Sequence, residues 1–294
     1  MSGVVTVRRF ELRDLDAAAR FSDAARALDA YVEPFGQRLA VIATGSRAAL
    51  DLWRVAAGED QGLYGIAFSA LRESAPGPLY DFYVAVHPSM RRQGLGRALS
   101  EPALSARARL RARVRDDAFA GRAFATALGF VETGAQLSLQ WGGGKVEVPP
   151  MPALRIRAAT RRDEPALRRL SNDAWVDTAE ANFSRSDEIA QLFAEEGRLV
   201  LLAESEGKPM GYLSAVQLGR TLGIEEVAVL PQSRRMGVGR ALLGHAMAKT
   251  QGAVLSVSEA NKPARALYRS LGFRQTARRL VLERQSRPPQ AATS

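Results

Sequence analysis

The chain has 294 residues, 46% hydrophobic and 24% charged, with a net charge of +10, which suits two globular domains. It has no cysteine, which excludes disulfides, thiolate metal sites and a covalent thioester to the protein. Its two histidines, His87 and His245, are far apart in sequence and lack a metal-binding spacing, and neither a metal site nor a Ser-His-Asp triad is expected. No apolar run reaches about 18 residues, so no membrane span is expected. MSGVVTVRRF has no signal-peptide core, and the location expected is cytoplasmic.

Only 4 of the 41 basic residues are lysine, a skew that GC-rich coding explains as well as a polyanion partner does. Neither half holds an unbroken basic block, which argues against nucleic acid.

The chain repeats itself. VRRFELRDLDAA (Val7–Ala18) resembles IRAATRRDEPAL (Ile156–Leu167), and Val84–Phe130 lies over Val227–Phe273 without a gap. The phrase MRRQGLGRAL at Met90–Leu99 returns as SRRMGVGRAL at Ser233–Leu242. Between these blocks ARARLRARVR (Ala106–Arg115) sets arginines at 107, 109, 111, 113 and 115, one face of a strand. They could hold RNA or an acidic partner, or be an exposed, charge-balanced face; the lack of interleaved aromatics favours the second. WGGGKVEVPPMPA (Trp141–Ala153) predicts a hairpin turn at its glycines and a linker at its prolines. Two domains follow: residues 1–148 and 154–284, joined by 149–153, with a disordered tail at 285–294.

In the second half, Leu154–Ala159 predicts a strand and Asp163 caps a helix to about Leu170. Phe183–Gly197 predicts a helix capped by Ser186, and Leu199–Gly219 a hairpin turning at Glu206–Gly207–Lys208. Leu222–Pro231 is a strand, a helix follows Gly239, and Ala253–Ser258 is a strand. Pro263–Phe273 is a helix with proline in its first turn and Gly272 at its end. Ala277–Arg284 closes the half as a strand. The fold class is α/β with a mixed sheet, made twice.

The glycine phrase joins a strand to a helix. Gly237 and Gly239 let a ligand approach the main chain, the helix start offers free N–H groups, and Arg234 and Arg235 add charge, so the loop suits a pyrophosphate. It is neither a Walker loop nor the dinucleotide fingerprint, since the required lysine and third glycine are missing.

Arg234-Arg235-Met236-Gly237-Val238-Gly239 and Arg91-Arg92-Gln93-Gly94-Leu95-Gly96, with the later Asn261-to-Phe273 segment, resemble the GNAT superfamily of acyl-CoA N-acyltransferases, in tandem. The resemblance covers nearly the whole chain and is strongest in the second half. It implies two domains, each a mostly antiparallel sheet flanked by helices, and transfer of an acetyl group from acetyl-CoA to a primary amine by direct attack. The pyrophosphate would lie on Arg234–Arg240, and in the first half on Arg91, Arg92, Gly94 and Gly96. Pantetheine would run along Val227–Val229, splayed from Ala253–Ser258. The N–H near Val229 would hold the acetyl oxygen. Tyr268 would protonate the leaving thiolate, Asn261 would contact the cofactor or orient the site, and Glu226, ahead of Glu225 and Glu259, would accept the amine proton.

At the repeat shift, Tyr268 becomes Ala125 and Asn261 becomes Ala118. The first half therefore reads as a degenerate repeat, structural or cofactor-binding, with Tyr83 a weaker substitute acid. An acceptor pocket would include Asn172, Asp173, Trp175 and Asp177; a thiol-sugar amine is one acceptor that nothing there singles out. The alternative is an acetyl-CoA-binding regulatory pseudoenzyme, or a module for RNA or an acidic partner. The expected assembly is a monomer with an internal pseudo-dimer, or a homodimer.

Overall fold

The computed structural model describes all residues except 1–3, 33–34, 46–47, 61, 73–77, 107, 176–188, 191, 194–196 and 286–294. Two compact units emerge, and they cut across the repeat: unit 1 is residues 1–134 with 279–294, and unit 2 is residues 135–278.

Unit 1 holds β1 (Val5–Arg9), α1 (Leu15–Leu28), α2 (Gly36–Thr44), β2 (Arg54–Gly58), β3 (Leu63–Arg72), β4 (Leu79–Val86), α3 (Leu95–Ser105), β5 (Arg109–Arg115) and α4 (Phe119–Ala127). Strands β1 to β4 pair antiparallel in chain order, and β5 joins β4 in parallel. The sixth strand is residues 279–284, antiparallel to β5 with Leu280 opposite Val114. Leu280 and Leu282 alternate into the core beneath α3, as a half-buried strand requires. On the other face, Trp53, fully buried, packs against Phe10 and Phe68 beneath α1 and α2 and donates its indole N–H to the Ser69 carbonyl.

Unit 2 holds residues 135–141 of β6 (Val131–Trp141), β7 (Arg155–Ala158), α5 (Glu164–Trp175), β8 (Arg198–Ser205), β9 (Lys208–Leu218), β10 (Thr221–Val229), α6 (Val238–Met247), β11 (Gly252–Ser258), α7 (Lys262–Ser270) and the start of β12 (Arg274–Arg284). Strands β7 to β10 pair antiparallel in chain order, β11 runs parallel to β10, and β6 closes the sheet antiparallel to β11. One core lies beneath α6 and α7, with Leu137, Leu139 and Trp141 of β6 inside it; the other lies beneath α5.

Each unit thus takes one strand from the other repeat. This accounts for one departure from expectation: no hairpin forms at Gly142–Gly144, and the chain from 142 to 150 has no regular structure. Residues 136–141 find their partner in β11 instead. Two helix limits also differ. Thr160 and Asp163 form a capping box on a short 3-10 turn, and α5 runs on to Trp175; α6 starts at Val238, one residue before Gly239, with Gly237 as its cap. The cap at Ser186, most of the helix expected at 183–197, Asp177 and the tail from 286 lie outside the described residues. No helix among the described residues is long and apolar enough to cross a membrane.

Candidate active site

The site of unit 2 begins at a bulge. β10 pairs with β9 through Ile224 opposite Ala215 and then Glu226 opposite Ser214, leaving Glu225 as the extra residue. Glu225 is exposed and ion-pairs with Arg198. Glu226 resumes the ladder. Beyond the bulge, β10 parts from β11: their parallel pairing stops at Ile224 and Leu255, although the strands continue to Val229 and Ser258. The gap between them is where the resemblance implies a pantetheine would lie.

The two faces of this gap differ. Val227 and Val229 pack on the core beneath α6 and α7, which also contains Leu255, Val257 and Tyr268. Ala228 belongs to the core beneath α5, so by alternation Glu226 shares that face. Tyr268, 8% exposed, meets Phe273 edge-on at 5.7 Å between centroids. Asn261 is the cap of α7: its side-chain oxygen accepts from the Ala264 N–H at 3.1 Å. Glu259 is taken up by a two-pronged ion pair with Arg278, which holds its carboxyl below the usual range.

The glycine loop follows β10. Arg235 stands at φ +64° and Gly237 at φ +92°, so the chain twice enters the left-handed region before α6 begins. A left-handed arginine carries a strain of roughly 1–2 kcal/mol, and Arg92 carries it too, at φ +64°. The first turn of α6 has N–H groups with no intrahelical acceptor, the usual seat of a phosphate. A Cβ on Gly239 would meet Leu267 at 3.3 Å and Val229 at 3.8 Å, and one on Gly237 would meet the Met151 sulfur at 3.1 Å. A Cβ at either glycine would thus crowd a neighbouring side chain of the protein itself, and what the loop offers a pyrophosphate is the set of unbonded N–H groups in the first turn.

The arginines divide. Arg235 is exposed, as is Met236. The Arg234 guanidinium instead donates to the carbonyls of Ala174 at 2.7 Å and Val229 at 3.4 Å. Arg240 donates to the Glu147 carbonyl and the Ser270 hydroxyl. Two of the three arginines expected at the phosphate are therefore bonded to the protein.

Sequence reasoning missed Ser214 and Tyr212, both buried on β9, opposite Glu226 and Ala228. Only the bulged register reveals them. Asn172, expected in the acceptor pocket, has its side-chain oxygen buried on α5 with no hydrogen-bond partner among the described residues.

Unit 1 keeps the loop and loses the rest. Gly94 caps α3 at φ +81°, and β4 parts from β5 after Asp81 and Arg111. Yet β4 pairs with β3 without a bulge, and Tyr83, where unit 2 has Glu226, stacks on Phe68 at 4.9 Å. A Cβ on Gly96 would meet the Phe124 ring at 3.0 Å. The arginine row starts at Arg109, and Arg107 lies outside the described residues. Arg111 pairs with Glu283, Arg113 with Asp81, and Arg115 with Asp117. Burial alone would raise the Asp81 pKa; Arg113 and Arg72 outweigh it and hold the carboxyl below its ordinary value. The row is a paired, structural one.

The acetyltransferase (GNAT) family model matches residues 165–273. A mycothiol acetyltransferase of Thermomonospora curvata is 31% identical over 224 residues, which are 70% of this chain and 73% of that protein. The chain belongs to the GNAT acetyltransferase family. It is an N-acetyltransferase of mixed α/β fold. A second GNAT relative, the mycothiol acetyltransferase of Thermobifida fusca, is 28% identical and covers 93% of this chain and 95% of its own. A solved tandem GNAT protein from the clavulanic acid biosynthesis pathway shares the fold, with a TM-score of 0.72 and 17% identity over 98% of this chain and 100% of that one.

Proposed function

We propose that this GNAT enzyme acetylates a small primary amine in its C-terminal repeat, residues 154–284, and that its N-terminal repeat, residues 1–148, supports that site. The observation that carries the reading is the contrast just described: bulge, Glu226, Asn261 and Tyr268 occur together in one repeat, and all four are missing from the other.

Acetyl-CoA supplies the activated acetyl group. The N–H groups of Met236 to Arg240 and the charge of Arg235 bind the pyrophosphate, and Val227 and Val229 line the pantetheine path. The N–H near Val229 polarises the acetyl carbonyl. Glu226, on the α5 face, takes the proton of the attacking amine directly or through water. Tyr268, on the α6 and α7 face, returns a proton to the sulfur. A base and an acid on opposite faces of one gap suit a direct transfer in which amine and thiolate lie on either side of the carbonyl. Asn261 acts by capping α7 and so setting the helix that carries Tyr268.

The acceptor we propose is a thiol-sugar amine of the mycothiol type. Its support is the activity named for the two curated relatives, one of them aligned over nearly the full chain. Thiol release from acetyl-CoA, measured across thiol-sugar amines, aminoglycosides, polyamines and amino acids, tests this. Turnover with the first class alone is expected. Turnover confined to another class would remove the acceptor assignment, and acetyl-CoA binding without turnover on any amine would remove the catalytic one.

A further inference from the structure

The first arginine of the glycine phrase makes the same kind of contact in both repeats, and neither contact involves the loop's own ligand-facing N–H groups. In unit 2, Arg234 joins the Val229 carbonyl, at the end of β10, to the Ala174 carbonyl, in the last turn of α5. In unit 1, Arg91 joins the Val86 carbonyl, at the end of β4, to the carboxylate of Asp29, the residue that ends α1; the distances are 3.1 and 2.6 Å. Val86 and Val229 are equivalent, and so are Arg91 and Arg234. The far partner differs in chemistry, a backbone carbonyl in one unit and a carboxylate in the other, yet its place is the same: the C-terminal end of the first long helix.

Physical chemistry favours this bond wherever the geometry allows it. The last four carbonyls of a helix lack intrahelical donors, and the negative end of the helix dipole attracts a cation. A guanidinium has a planar fork of five donors and can serve two acceptors at once, which an ammonium on a flexible stem does poorly. In Arg234 the Nε donates to the Val229 carbonyl and a terminal nitrogen to the Ala174 carbonyl, which directs the charge at α5.

We infer that Arg234 is a positioning residue: it tethers the cofactor loop to α5, the wall of the acceptor face, while Arg235 supplies the side-chain charge for the phosphates. The inference rests on the reading of unit 2 as the acetyl-transfer site. Ala174 lies two residues beyond Asn172, whose buried side-chain oxygen lacks a partner among the described residues. Tethering this turn fixes where that oxygen stands relative to the face bearing Glu226. Loss of the tether would thus be felt by the acceptor before it is felt by acetyl-CoA.

The test uses the full chain with Arg234→Met, Arg234→Lys and Arg235→Met. Three quantities are read: acetyl-CoA affinity by calorimetry, amide exchange along α5 by mass spectrometry, and the separate KM values for acetyl-CoA and the amine found by the panel. Arg234→Met is expected to speed exchange in the last turn of α5 and raise the amine KM, each about tenfold, as loss of a charge-assisted hydrogen bond implies. Its acetyl-CoA affinity should stay within about threefold. Arg235→Met should do the reverse, weakening acetyl-CoA about fivefold with α5 exchange unchanged. Arg234→Lys keeps the charge and loses the fork; if Arg234→Met does not fold, Arg234→Lys must still show the faster α5 exchange. Weakened acetyl-CoA binding with normal α5 exchange in an Arg234 variant overturns the inference and makes Arg234 a phosphate ligand. Absence of acetyl-CoA binding in the unmodified protein would strike the proposed function instead, and the exchange result would still decide the tether.

Discussion

The two units begin from one plan and diverge at the same few places. Unit 2 has a bulged β10, Glu226 opposite a buried serine, and a tyrosine on the helix below. Unit 1 has an unbulged β4, Tyr83 stacked on Phe68, an alanine where the tyrosine would be, and Asp81 holding Arg72 and Arg113. The glycine loop, with its left-handed arginine and glycine, is nearly the same in both. The loop's backbone shape therefore outlasts the chemistry beside it. This is physically reasonable: the loop's turn angles are needed simply to pass from strand to helix, whereas a carboxylate and a phenol in the places of Glu226 and Tyr268 cost desolvation, and unit 1 has an aromatic and an alanine there.

The comparison breaks most sharply at Tyr268. Tyr268→Phe should lower turnover about a hundredfold, the usual worth of a positioned acid, with acetyl-CoA affinity unchanged in calorimetry. Phe124→Leu, which gives unit 1 the residue found in unit 2, should leave turnover alone. Equal losses in the two variants would end the assignment of chemistry to unit 2.

A smaller effect should separate the two glycine caps. Gly94→Ala and Gly237→Ala each force an alanine into positive φ and should each cost about 1 kcal/mol in urea unfolding. At Gly94 the new Cβ meets nothing within 4 Å, while at Gly237 it meets the Met151 sulfur at 3.1 Å. Only Gly237→Ala should raise the acetyl-CoA KM, by about tenfold. An equal rise from Gly94→Ala would give unit 1 a part in cofactor binding that counts for turnover.

The smallest effect is shared by both units. Arg157 binds the Asp163 carboxylate with two hydrogen bonds, at 2.8 and 2.9 Å, and Arg8 binds Asp14 likewise. Arg157, with the Thr160 N–H and hydroxyl, outweighs burial and lowers the Asp163 pKa. A lowered folded-state value means stability that is present above the unfolded value of ~3.9 and is lost as pH falls through the folded one. Asp163→Asn should therefore be less stable than the parent at pH 7 in urea melts, and the gap should shrink below about pH 4. For Asp14, burial opposes the Arg8 bond more strongly, and its pKa is still lowered; Asp14→Asn should follow the same course.

Much of this was legible from residues close in sequence. Glycines at 237 and 239, the proline that opens α7 and the period-two leucines of 280 and 282 each act through local backbone geometry or alternation. The repeat made the plan visible twice. What escaped were pairings across distance. The resemblance implies a bulge in β10, but its place at Glu225 depends on how β10 meets β9, and Ser214 comes opposite Glu226 only after that slip. The bond from Arg234 to Ala174 spans 60 residues, and an arginine beside a glycine loop reads equally as a phosphate ligand. The exchange of final strands was hidden for the same reason: residues 136–141 have the alternation of any edge strand, and nothing in that alternation names a partner.

That exchange makes the order of synthesis matter. The sheet of unit 1 lacks its sixth strand until residues 279–284 have been made, and every residue of unit 2 is made in between. Until then β5 offers an open edge bearing Arg111, whose partner Glu283 has yet to arrive. A row of arginines is a poor template for pairing with another chain. The same charges that look like a docking surface in the sequence would keep a half-built nascent chain from sticking to its neighbours. Cutting the gene at the linker would therefore yield two fragments, each carrying the other's closing strand.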